Sequence, residues 1–154
     1  MTALAQNSLD NNYVPSGRYR KYPVAAYTVI FRGAGVMLNA SGYLIPASDT
    51  SGGISRGVSR DEVDNNPGSA GDLECEVDIG GCEVVVNFGT QSALTQANVG
   101  DKVFWKDDQT VELAGTSAND IFAGTIERIG DAYGANLTSK CLIRCATPGE
   151  VAAN

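Results

Sequence analysis

The stretch that decides the fold is "NVGDKVFWKDDQTVEL", residues 98–113. Val103, Phe104 and Trp105 make a short apolar run, a second run follows at 110–113, and "KDDQ" separates them. β-Branched and aromatic residues on either side of a short polar insert give two strands joined by a tight turn. Aspartate suits that turn, because its short side chain bonds to backbone two residues on. Asp107 and Asp108 are poorly placed as a catalytic pair. Successive strand residues point to opposite faces, whereas the two acids of a glycosidase face each other across a sugar. The adjacent acids are read as the tip of a hairpin.

The same style extends outward along the chain. "VAAYTVIFRG" (24–33), "GVMLN" (35–39) and "YLIPA" (43–47) are short apolar runs separated by glycine and by the turn "ASGY". "LECEVDI" (73–79) alternates apolar and acidic residues, which predicts one buried and one wet face. "EVVVNFG" (83–89), "IFAGTIERIGD" (121–131) and "KCLIRCA" (140–146) complete the set. Eighteen glycines without a fixed period serve as turn residues between strands. Helix signals are weak; only "TQSALTQANVG" (90–100) predicts a short helix, ended by Gly100. The polar stretch 48–72 reads mostly as loop, with a brief strand around 54–58. The expected fold is all-β: a small β-barrel or sandwich of short strands with an extended N-terminal arm.

The arm is residues 1–23, "MTALAQNSLDNNYVPSGRYRKYP", polar, without period, and broken by Pro15, Gly17 and Pro23. Residues 24–154 form the β-rich domain. The density of Tyr13, Val14, Tyr19 and Tyr22 in the arm is that of a segment that grips another protein. Arg18, Arg20 and Lys21 add a local basic patch.

Composition excludes several functions. The chain has 154 residues and no histidine, so neither a Ser–His nor a Cys–His pair can be assembled. A net charge of −7 argues against a surface that tracks nucleic-acid phosphates. "FRGAGV" (31–36) lacks the third glycine and the lysine of a phosphate-cradling loop. Asp61, Glu62 and Asp64 lack the spacing of a calcium loop. Cys75, Cys82, Cys141 and Cys145 lack zinc-ribbon spacing and are expected as reduced, mainly buried thiols. No charged leader with an apolar core opens the sequence, and no apolar run reaches the roughly 18 residues that span a bilayer. The expectations are therefore no enzyme, no cofactor, no metal, no membrane and no nucleic acid, with synthesis in a cytoplasm.

Read together, "GVMLNASGYLIPAS" (35–48), "GISRGVSRDEVDNNPGSAG" (53–71), "NVGDKVFWKDDQTVEL" and "AGTIERIGD" (123–131) resemble the small capsid decoration, or head cement, proteins of tailed bacteriophages. The likeness lies in a hairpin built on Gly100, Asp101, Val103, Phe104, Trp105, Asp107, Asp108, Thr110 and Val111, then a strand with Ala123, Gly124 and Ile126. It implies a virion structural protein that binds the outside of an icosahedral shell through its major capsid protein, often as a homotrimer. It also implies an N-terminal arm along the capsid surface. The length of the stretch 48–72 and the four cysteines depart from the pattern. The alternative is a receptor- or carbohydrate-binding module on a phage head or fibre, with binding carried by loop 48–72.

Overall fold

The decisive hairpin forms as read. β9 (Lys102–Asp107) and β10 (Thr110–Leu113) pair antiparallel around the two-residue turn Asp108–Gln109. Asp107 Oδ1 accepts the Gln109 N–H at 2.9 Å, the local bond that makes aspartate a turn residue. The computed structural model describes residues 17–89, 94–130 and 139–154. The arm residues Tyr13 and Val14, and most of residues 1–23, lie outside them.

The described residues form a barrel, an open five-stranded sheet and a two-stranded ladder. The hairpin belongs to a closed barrel, in the order β10, β8 (Glu83–Phe88), β12 (Lys140–Cys145), β11 (Phe122–Ile129), β9. The earlier strands form an antiparallel sheet in the order β1 (Tyr19–Pro23), β7 (Glu74–Asp78), β5 (Ile54–Ser59), β3 (Gly35–Leu38), β4 (Leu44–Pro46). β2 (Thr28–Ile30) and β6 (Val63–Asn65) make a separate two-stranded ladder. The protein is all-β, with one barrel and one open sheet.

Two apolar clusters form the core, and the larger, centred on the barrel, also takes in Met37 and Val58 from the open sheet. Val86, Phe88, Val103, Trp105, Val111, Ile126, Cys141 and Ile143 fill the barrel. Val24, Ile30, Val36, Leu44, Val63, Cys75 and Val77 fill the space under the sheet. Trp105 joins the two halves. Its indole is fully buried, its Nε1 donates to Ser55 Oγ on β5 at 3.1 Å, and its ring lies against the backbone of Gly35 on β3. Gly35 N–H also donates to the Asp108 carbonyl at 2.7 Å, so the hairpin turn is bonded to the neighbouring sheet. The tryptophan is a packing residue and not a platform for bases.

Four expectations change. The run 24–33 is not one strand: Tyr27 takes a left-handed backbone conformation (φ 54°), and Thr28 Oγ1 bonds back to the Ala26 carbonyl. The stretch 48–72 is mostly loop and carries the foreseen strand as β5, but it also supplies a second strand, β6, that was not foreseen. Of the expected helix at 90–100 only a single 3₁₀ turn, Gln96–Asn98, falls in the described residues, and 90–93 lie outside them. A C-terminal helix α1 (Pro148–Ala153) was not expected. It starts on a capping box in which Thr147 Oγ1 accepts from the Glu150 N–H and the Glu150 carboxylate accepts from the Thr147 N–H.

Candidate interaction surface

The boundary drawn at residue 23 falls inside the domain, because β1 (Tyr19–Pro23) is paired along its whole length with β7. It is the edge strand of the open sheet, and no strand among the described residues covers its far side. The register settles which backbone groups face outward. Ile79 N–H donates to the Arg18 carbonyl and Val24 N–H to the Leu73 carbonyl, each at 2.9 Å. With Tyr19 opposite Asp78, residues 18, 20, 22 and 24 therefore bond toward β7, and Tyr19, Lys21 and Pro23 turn their N–H and C=O groups to the open side. Pro23 has no N–H, and its position on the outward set means no ladder bond is lost.

Side chains at this edge are basic and aromatic. Tyr19 is 45% exposed, with the Arg60 guanidinium 3.9 Å from its ring centroid and that of Arg18 at 5.6 Å. Cations over an aromatic face hold the ring in place while leaving its edge free. Arg18 Nε donates to Asp78 Oδ2 at 2.8 Å, and this bond, with the carboxylate charge, raises the guanidinium above its ordinary pKa. Arg60 is in turn held by Glu76 Oε1 at 2.7 Å. Arg20 and Lys21 are exposed and make no ion pair among the described residues. Tyr22 is different: it is half-buried against the core under the sheet, so most of its ring serves the fold.

Other exposed apolar residues were not foreseen. Tyr27 and Phe31 flank β2 and are 71% and 60% exposed. Both lie just outside the three-residue strand, and the run 24–33, read as one strand, gave no signal that its aromatics would be exposed. Arg60, which positions Tyr19, was hidden in the polar stretch 48–72.

The remaining candidate chemistry resolves into structure. Asp61 Oδ2 accepts from the Glu76 N–H on β7, and Asp64 Oδ1 from the Asn66 N–H two residues on, so one carboxylate ties a loop to the sheet and the other serves a turn. Among the described residues no group of three or more metal-ligating side chains converges. Desolvation, then the neighbouring Asp107 charge, pushes the Asp108 carboxyl up. A groove of about 650 Å³ lies between β5, the segment before β11 and α1, lined by Arg56, Asp120, Ile121, Phe122 and Val151 among others. No helix among the described residues is long and apolar enough to cross a membrane. No family model matches the chain, and no curated protein does.

Proposed function

We propose that the protein is a capsid decoration protein, a non-enzymatic virion component that binds the outer surface of an icosahedral phage shell and stabilises it by bridging coat subunits. The observation that carries this reading is the open edge of β1, whose outward backbone groups are flanked by Tyr19, Arg20 and Lys21. An exposed edge binds an extended segment by strand addition: main-chain bonds supply affinity, and alternate side chains supply specificity. Its basic residues suit an acidic coat surface, and they also keep the edge from pairing with copies of itself. The resemblance of segments 35–71, 98–113 and 123–131 to head cement proteins supports the same reading and brings with it a homotrimer on the shell exterior. Repetition over a lattice then multiplies modest contacts through avidity.

The test is cosedimentation with empty shells assembled from the coat protein encoded by the same genome. Saturable binding, with shells that resist heat or chelator better than bare ones, is the expected outcome. Shells that pellet without the protein would overturn the proposal. A second reading, a glycan-binding module, is favoured by the groove at Arg56, Asp120 and Phe122, which offers a cation, a carboxylate and an aromatic ring. Glycan-array binding abolished by Arg56→Ala would select it.

A further inference from the structure

The four cysteines are not equivalent. Cys82 directly precedes β8 and Cys145 ends β12. The register places Glu83 opposite Arg144, so the two cysteines face each other across the strand pair, and the Cys145 N–H donates to the Cys82 carbonyl at 2.9 Å. Residues directly opposed in a hydrogen-bonded antiparallel pair project to the same face with Cα atoms about 5.5 Å apart, within the range a disulfide spans, and Cβ atoms about 5 Å apart, so the bond closes with an inward shift of about 1 Å at the strand ends. Both side chains point into the barrel, where Cys145 is 1% exposed and Cys82 packs half-buried at the rim of the cluster. Each thiol is the largest influence on the other's ionisation.

We propose that Cys82 and Cys145 are a covalent modification site, a dithiol that closes to an intrachain disulfide when the protein meets an oxidised low-molecular-weight thiol. Cys82 is the attacking sulfur. It is the more accessible of the pair, and the neighbouring Cys145 thiol draws its own below the ordinary value against burial and the Asp78 charge, with a smaller favourable part from Arg18. Cys145 is held well above its ordinary value by the Cys82 thiol and by burial. Cys75 and Cys141 are fully buried, and burial pushes their thiols up to about 11 and about 12. They are inert by comparison, because the thiolate is the nucleophile.

The steps balance without a further reactant. The Cys82 thiolate attacks one sulfur of the small disulfide, whose S–S bond breaks and releases one thiolate. Cys145 then gives up its proton to solvent, and its sulfur attacks Cys82 Sγ in the mixed disulfide, expelling the second thiolate. Two protein thiols are oxidised and one small disulfide is reduced to two thiols. The bond ties the rim of β8 to the end of β12 and closes the segment 82–145. The inference is independent of capsid binding, although a protein made in a reducing cytoplasm and displayed on a released virion would pass through this change.

The experiment exposes the full-length native protein to oxidised glutathione, then unfolds it and counts thiols with a maleimide. The expected result is a fall from four reactive thiols to two, a peptide joining Cys82 to Cys145, and a thermal midpoint that rises and returns on reduction. Cys145→Ala should stop at a glutathione adduct on Cys82, and Cys82→Ser should acquire neither adduct nor bridge. Four retained thiols, a lasting adduct on Cys82 of the unaltered chain, or a bridge through Cys75 or Cys141 would overturn the proposal. The unaltered chain decides the matter even if a variant does not fold.

Discussion

Substituting Gly35 by alanine tests how the two halves are joined. An alanine Cβ at this position would sit 2.6, 2.7 and 2.9 Å from three atoms of the Trp105 six-membered ring. Ordinary carbon contacts are about 3.5–4.0 Å, so backbone or indole must move by about 1 Å. The indole is fully buried and held by Ser55, so it has no free direction to yield. Overpacking of this kind costs about 1–3 kcal/mol. Trp105→Phe alone should cost about 2–4 kcal/mol, from the space it empties and the donor that Ser55 loses. In the double variant the smaller ring makes room for the new methyl. Its loss should then be smaller than the sum of the two by about 1–3 kcal/mol, the coupling expected of residues in contact. Urea unfolding followed by far-UV circular dichroism measures all three, since the chain has one tryptophan and Trp105→Phe removes the fluorescent reporter. Additive losses, agreeing within about 0.5 kcal/mol, would refute the packing of β3 against β9.

Three further outcomes follow from the same structure. Deleting residues 1–23 removes β1, uncovers Cys75 and Val77, and should cost at least about 2 kcal/mol in urea. Glu150 is drawn down to about 2, first by its hydrogen bonds with Arg144 and then by the Thr147 N–H. A depressed carboxylate stabilises the fold above its unfolded value near 4.3 and loses that contribution as pH falls through about 2. The pair is largely solvent-exposed, so the effect is held to about 1 kcal/mol; thermal melts from pH 5 to about 2 should fall less steeply for Glu150→Gln. Asp107→Ala removes the bond to the Gln109 N–H and should cost about 0.5–1 kcal/mol in thermal or urea unfolding while leaving Trp105 emission unchanged.

The hairpin at 102–113 was legible because two independent signals agree there, apolar β-formers on both arms and aspartate at the turn. The strand at 73–79 was legible from its alternation, and Cys75 and Val77 do face inward as that pattern requires. β6 was obscured, and β5 read only as a brief strand, because several of their buried positions are polar beside Val58 and Val63. Ser55 takes the Trp105 N–H, Ser59 Oγ bonds to the Phe31 carbonyl, and Asn65 Nδ2 donates to the carbonyls of Ala25 and Ser69. Hydropathy counts such residues as loop, since their partners lie 28 to 50 positions away in three of the four bonds. The C-terminal helix was readable in "TPGE", residues 147–150, which has the capping threonine, the proline at the first position and the glutamate three residues on. At the candidate surface, Arg18, Tyr19, Arg20 and Lys21 could be named from composition, but their strand could not. Which backbone groups face outward depends on the register with β7, and register is a property of the folded pair.

Residue-resolved hydrogen exchange on the protein, free and bound to shells of the coat protein, tests the proposed docking edge most directly. In the free protein the amides of Arg20 and Tyr22, bonded to β7, should exchange slowly, and those of Tyr19 and Lys21 should exchange fast. On the shell, Tyr19 and Lys21 should become protected by at least about tenfold as an added strand takes up their N–H groups. Shell binding that leaves both amides exchanging at their free rates would contradict docking through this edge, and an absence of shell binding would contradict the proposed function itself.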